Sequence, residues 1–208
     1  MNYDEYDNVK EQRFWNNSSE WKRDGEEWSD VFNGTDKLWN LIIYPQIKDY
    51  LNGEILEIAP GYGRITEYLL IYSNNINVVE LNENCLTKCK ERFGNKIKKY
   101  SINNGRDLKD FNNNSFDLVF SWDSFVHMDK YVIEDYLYEI YRVLKPDGIG
   151  YIHHSFFNGS IRSKDNIAGR SNMNPDLFKE LLEKSNLKLI SQIELKGNVI
   201  DTISIFKK

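Results

Sequence analysis

After residue 50 the hydrophobic positions along the chain change their period again and again. Ile55, Leu56 and Ile58 form a short apolar run after Asn52-Gly53, the pattern of a buried strand. Pro60-Gly61-Tyr62-Gly63 reads as a turn, and Ile65, Tyr68, Leu69 and Tyr72 beyond it share one helical face. Ile76 to Leu81 is the next strand. Asn82 then stands as the N-cap of a helix carrying Leu86, Cys89 and Phe93. Ile97 to Ile102 is a weaker strand and Phe116 to Trp122 a strong one, with five apolar residues in seven.

The second half continues the alternation. A helix is predicted from about Tyr131 to Leu144, stopped by Lys145-Pro146-Asp147-Gly148, and a fifth strand from Ile149 to His154. Residues 158–174, rich in Gly, Ser and Asn, read as an exposed loop. Asn174 and Pro175 open another helix through Glu183. Leu187 to Leu195 and Val199 to Phe206 read as strands joined at Gly197-Asn198. Strands alternating with helices imply an α/β fold whose strands pair in parallel through right-handed crossovers. The expected fold is therefore a mostly parallel seven-stranded sheet closed by a C-terminal antiparallel hairpin strand. Its domain would be single, over residues 1–208, with the core in 36–208. Residues 1–35 differ in kind: Phe14, Trp15, Trp21, Trp28 and Phe32 stand among charges without a clean period, as a lid or an extension of the core would require.

Charge narrows the function. A formal net charge of −5 over 208 residues, with bases interleaved among acids, argues against a nucleic-acid surface. Cys85 and Cys89 are the only cysteines and fall on one helical face, which suits neither a disulfide framework nor a zinc site. The carboxylates show no spacing that specifies a metal. No apolar run reaches the ~20 residues of a membrane span, and residues 1–11 lack the character of a signal peptide. The expected address is the cytoplasm.

The segment Ile55-Leu56-Glu57-Ile58-Ala59-Pro60-Gly61-Tyr62-Gly63-Arg64 carries the most chemistry. A strand that turns through two glycines into a helix lets backbone approach a ligand at the carboxyl edge of a parallel sheet. A third glycine of the dinucleotide-binding pattern would fall at Thr66 and is missing, which disfavours a nicotinamide cofactor. Glu57 repels a pyrophosphate and suits a cationic ligand. Glu80, about twenty residues on, stands where an acid can accept from ribose hydroxyls.

On these residues the chain resembles class I S-adenosylmethionine-dependent methyltransferases over about residues 36–206. Glu57 to Gly63 looks like the family's first motif and Glu80 like its ribose-holding acid, while Arg142 to Gly148 is similar to its helix-to-strand signature. Asn104-Gly105 lies where the family reads adenine, with Asn104 in place of the usual Asp. The resemblance implies S-adenosyl-L-methionine as cofactor, on a Rossmann-like fold, held by Glu57, Ala59, Gly61, Gly63, Arg64, Glu80, Leu81, Asn104, Gly105 and Ser121. A closer likeness is to bacterial methyltransferases associated with surface-glycan and polysaccharide genes. It rests on Gly25-Glu26-Glu27-Trp28-Ser29, Glu57 to Arg64, Phe120 to His127 and Ile152-His153-His154-Ser155.

That likeness implies O-methylation of a sugar or glycan precursor in polysaccharide biosynthesis. The alternatives are an amine or a phosphorylated metabolite as acceptor, or a non-catalytic cofactor-binding subunit. A hydroxyl must lose its proton as it attacks, and histidine is the natural base. His154, His127 and Asp123 are the catalytic candidates. Strand alternation sends His153 and His154 to opposite faces, so only one ring can point at the pocket; the sequence does not say which, and His154 is the favoured one. Asp201, a carboxylate inside an apolar alternating run, demands a partner.

Overall fold

The computed structural model describes residues 21–156, 170–195 and 201–208. Seven strands form one mixed sheet in the order β3-β2-β1-β4-β5-β7-β6. They are β1 (Ile55–Ile58), β2 (Ile76–Glu80), β3 (Lys99–Ile102), β4 (Phe116–Ser121), β5 (Leu144–Ser155), β6 (Lys188–Leu195) and β7 (Asp201–Lys207). The longer helices are α1 (Thr66–Tyr72), α2 (Glu83–Phe93), α3 (Lys130–Val143) and α4 (Pro175–Lys184). This is the Rossmann-like α/β architecture that the alternation predicts. The chain divides into two compact units, 1–105 and 106–208.

In the first unit β2 pairs in parallel with both β1 and β3. All residues of β1 and β2 are buried, as strands covered on both faces must be. Asn82 caps α2 as predicted, its side chain accepting from the backbone of Asn84 and Cys85. Cys85 and Cys89 are buried and free, and burial pushes both thiols far up, so they behave as core residues. Before β1, short helical turns run from Glu26 to Tyr50. Trp39 is enclosed there and packs against the rings of Tyr44, Tyr68 and Tyr72. Residues 1–20 of the expected lid lie outside the described residues, as do residues 158–169 of the expected loop.

In the second unit β4 and β5 are parallel, while β7 runs antiparallel to both β5 and β6. The hairpin therefore contributes one strand of opposite sense, β7, inserted between β5 and β6. Its turn at Gly197-Asn198 lies outside the described residues. Helix α3 buries Val132, Ile133, Tyr136, Leu137, Ile140 and Val143 at helical spacing. Asn174 caps α4, accepting from Leu177 N–H, and Pro175 occupies its first turn.

One boundary differs from the sequence expectation. The strand begins at Leu144, directly after α3, with Leu144 opposite Phe116 and Ile149 opposite Leu118. Residues 145–148 form an irregular step within β5. Asp147 takes a left-handed φ of 64° there, and a Cβ on Gly148 would lie 2.9 Å from the Phe116 carbonyl. Pro and Gly stop the helix but do not delay the strand.

Candidate functional site

Two groups of polar side chains stand out, one in each unit. In the first, the backbone after β1 turns through left-handed conformations at Ala59 (φ 57°), Gly61 (φ 59°) and Gly63 (φ 87°). The alanine is the costly one, since its Cβ meets the sterics that glycine escapes. Strain of this kind concentrates at ligand-binding turns. The sequence pattern assigns the two glycines to ligand approach alone. A Cβ on Gly61 would lie 2.4 Å from the Trp21 ring, and one on Gly63 2.2 Å from the Phe93 ring. Each glycine thus also seats an aromatic side chain, and Trp21 stacks on Tyr62 with ring centroids 4.1 Å apart.

Glu80 ends β2 with its carboxylate gathered in by backbone. Oε2 accepts from Gly61 N–H at 3.1 Å, and Oε1 from Leu81 and Asn82 N–H at 2.9 and 3.1 Å. Leu81 and Gly61 therefore fix the acid's orientation. An ionised carboxylate offers about four acceptor sites, so Oε2 retains capacity for a further donor. Burial raises the Glu80 pKa against these three backbone hydrogen bonds, which oppose the rise. Glu57, buried in β1, accepts from Thr66 Oγ1 at 2.6 Å. Burial pushes it up to about 7, the Thr66 hydrogen bond opposing, the charge of Glu80 adding to the rise and Arg64 opposing it.

Arg64 is buried and donates to Ser29 Oγ, and its guanidinium lies 5.9 Å from the centre of the Trp28 ring. It ties the turn to the Glu26–Phe32 segment. Gly105 N–H donates to Asn103 Oδ1 at 3.0 Å, and Asn104 between them is exposed. These residues form a set of acceptors, two of them buried carboxylates, beside a strained backbone turn. The set matches a ligand that brings positive charge and hydroxyl donors.

The second group surrounds the end of β5 and separates the two adjacent histidines. His154 is fully buried, its ring stacked on Phe178 of α4 at 4.1 Å and 3°. Nδ1 lies 2.9 Å from the Ser155 carbonyl and must donate to it; Nε2 lies 2.8 Å from Ser204 Oγ. Ser204 Oγ also accepts from Gln192 Nε2 at 3.1 Å, so its hydroxyl proton is free to bond Nε2 of His154. Both nitrogens of a neutral ring are satisfied. Burial lowers the His154 pKa to about 3 despite the Ser155 contact. His154, the ring expected to meet the acceptor, lies instead on the face covered by α4.

His153 points the other way. Its ring stacks on Trp122 at 4.1 Å and is 2% exposed. Nδ1 lies 3.2 Å from Asp123 Oδ1 and 3.2 Å from the Asp123 backbone nitrogen. Nε2 lies 3.5 Å from Asp201 Oδ2, an ion-pair distance beyond a good hydrogen bond. Arg170 grips Asp201 with two nitrogens, Nε at 3.2 Å and Nη2 at 2.8 Å. Burial works to lower the His153 pKa, but Asp123 and Asp201 together outweigh it and raise it. The Asp201 carboxylate is held low by His153 and Arg170 against its burial.

Asp123 follows β4 with a left-handed φ of 60° and a side chain 20% exposed. Ser121 is buried at the end of β4. His127 is half-buried, and its backbone N–H donates to the Ser124 carbonyl in a turn. The partnership of His153, Asp201 and Arg170 is missing from the sequence expectations. Its signal is present: Asp201 demands a partner, and in the antiparallel register Asp201 opposes Ser155, on the face of His153. The two carboxylates bracket opposite nitrogens of one ring rather than a common point. Among the described residues no group of three or more His, Cys, Asp or Glu is arranged to hold a metal ion. No helix there is long and apolar enough to cross a membrane.

Comparison with known proteins agrees with this architecture. Residues 56–152 match the methyltransferase domain family. No curated protein matches the sequence. Among solved structures, an S-adenosylmethionine-dependent methyltransferase from Methanosarcina mazei superposes with TM-score 0.67 at 17% identity, over 81% of this chain and 99% of that one. One from Leishmania major gives TM-score 0.70 at 14% identity, over 96% and 82% of the two chains. Another, from Mesorhizobium loti, gives 0.65 at 12% identity, over 79% and 97%. The structural likenesses establish the fold, and the stretch from β1 into β5 is similar to the methyltransferase domain family.

Proposed function

We propose that this enzyme transfers the methyl group to a hydroxyl of a small polyhydroxylated acceptor, a sugar or a glycan precursor. The observation that carries the reading is the placement of His153 between two carboxylates, with Asp123 partly exposed on its outer side. An amine can attack through a free lone pair once neutral. A hydroxyl, with a pKa near that of water at ~15.7, needs a group that takes its proton. A titratable ring held beside a partly exposed carboxylate meets that need.

The cofactor side rests on the first unit. Bound S-adenosylmethionine supplies an electrophilic methyl on a sulfonium. Glu80 Oε2 accepts a ribose hydroxyl with its spare capacity, while Gly61, Leu81 and Asn82 hold the carboxylate in place. Glu57 is the counter-charge for a cationic moiety, and the turn through Ala59, Gly61 and Gly63 shapes the approach. Arg64 supports the turn from behind through Ser29. Asn104, Gly105 and Ser121 complete the proposed cofactor set. Asp123 receives the acceptor hydroxyl, and His127 orients the turn that follows.

Calorimetric titration with S-adenosylhomocysteine tests the cofactor half. Micromolar binding is expected, weakened about 10-fold in Glu80→Ala, as loss of one charge-assisted contact worth ~1.4 kcal/mol predicts. Equal binding by the variant would remove Glu80 from the site. A panel of hydroxyl and amine acceptors tests the other half: turnover confined to amines would replace the oxygen acceptor with nitrogen.

A further inference from the structure

We propose that His153 is the proton store of the reaction, loaded through Asp123 and balanced from behind by Asp201 and Arg170. The inference rests on the reading of a hydroxyl acceptor and assigns its proton a path. The starting state follows from geometry. The Asp123 backbone N–H points at Nδ1 from 3.2 Å, so in a neutral ring Nδ1 is the acceptor and Nε2 carries the hydrogen, toward Asp201. Protonation converts Nδ1 to a donor, and Asp123 Oδ1, also at 3.2 Å, is the acceptor in waiting. One ring position thus has a partner for each protonation state.

The step balances as follows. The acceptor oxygen bonds to the methyl carbon as the carbon–sulfur bond breaks with its electron pair going to sulfur. The hydroxyl proton passes to the Asp123 carboxylate and from it to Nδ1 of His153. The charged ring then stands between Asp123 and Asp201, with Arg170 forked on Asp201, so two negative charges face two positive ones. The proton returns to solvent through Asp123, the partly exposed end of the line. His154, the other titratable neighbour, stays neutral on the opposite face and opposes charge on His153 only weakly. Ser155 and Ser171 fix the far end: their hydroxyls are 2.9 Å apart, and Ser171 N–H donates to Val126 O at 2.7 Å, setting Arg170 beside Asp201. Trp122 prevents the ring from turning away.

Asp123 is the catalytic residue in this scheme, and His153 acts through it as a positioning and proton-holding residue. The test begins without any acceptor. The chain has three histidines, so imidazole nitrogen NMR can follow each through pH. His153 is expected to start as the Nε2–H form and to titrate above its ordinary value. Asp201→Asn should move that titration to lower pH and Arg170→Gln to higher pH. Opposed shifts in two variants of one ion pair are not the mark of simple loosening, and retained S-adenosylhomocysteine binding shows that each variant folds. With a hydroxyl acceptor, the acid limb of kcat should follow the NMR titration in every variant. His153→Gln should lower kcat ~100-fold with KM nearly unchanged. A His153 that titrates alike in all three proteins, or a kcat limb that ignores it, overturns the proton store. Should amines alone be methylated while the NMR shifts occur, the hydroxyl reading fails and the coupled ring stands.

Discussion

The two units each bury carboxylates, and they treat them in opposite ways. Glu57 and Glu80 are held by a threonine hydroxyl and by backbone N–H groups, and both are pushed up. Asp201 sits between His153 and Arg170 and is pushed down. Hydrogen bonds from neutral donors offset only part of the cost of burying a charge, whereas a cation offsets more. For the first pair, Arg64 opposes the rise of Glu57 only in part, which leaves room for the positive charge of the proposed ligand. The second unit carries its own. A carboxylate's surroundings thus separate the proposed cofactor site from the proposed proton store.

The contrast has a sign that pH can read. The Glu57 pKa of about 7 lies above its ordinary 4.5, so its contribution to stability is full below pH 4.5 and lost as pH rises to 7. The loss is on the order of 3 kcal/mol at ~1.36 kcal/mol per pH unit. Urea unfolding of the cofactor-free protein and of Glu57→Gln should show the two stabilities diverging by that much across this window. Parallel curves would erase the contrast. Asp201 runs the other way, its stabilisation present at neutral pH and lost in acid. Arg170→Ala should cost about 2 kcal/mol at pH 7.5, less than a fully buried partner because the arginine is partly exposed. A cost below ~0.5 kcal/mol would show a mere surface pair.

Two smaller effects sharpen the first pair. If a cationic ligand completes Glu57, S-adenosylhomocysteine affinity should rise up to about 10-fold between pH 6 and pH 8, and the rise should vanish in Glu57→Gln. A flat profile in the wild type would dissociate Glu57 from the ligand. Thr66→Val removes the one hydroxyl that favours ionised Glu57. The divergence from Glu57→Gln should then extend to higher pH by the equivalent of roughly 1 kcal/mol. An unmoved window would assign the hydrogen bond no part in setting Glu57.

Much of this is legible in the sequence itself. The strand–turn–helix signature at Glu57 to Arg64, Glu80, and the caps Asn82 and Asn174 are local features, set by residues within a turn or two of each other. The opposite facing of His153 and His154 follows from strand alternation alone. Which of them faces α4 does not, because that depends on where Phe178 packs, a contact between residues far apart in the chain. The Asp201–His153 partnership depends likewise on the register of β7 against β5. The second role of Gly61 and Gly63 is hidden for the same reason, since Trp21 and Phe93 reach the turn from elsewhere in the sequence.

The insertion of β7 between β5 and β6 bears on how the protein comes into being. Translation delivers β5 and then β6, yet these two strands cannot pair directly, because the place between them belongs to a strand not yet made. The sheet of the second unit therefore closes around a strand made after both of its neighbours, a long-range step of the kind that slows folding. Asp201 arrives on that strand. On the ribosome, His153 is made well before Asp201, the carboxylate that faces it from β7.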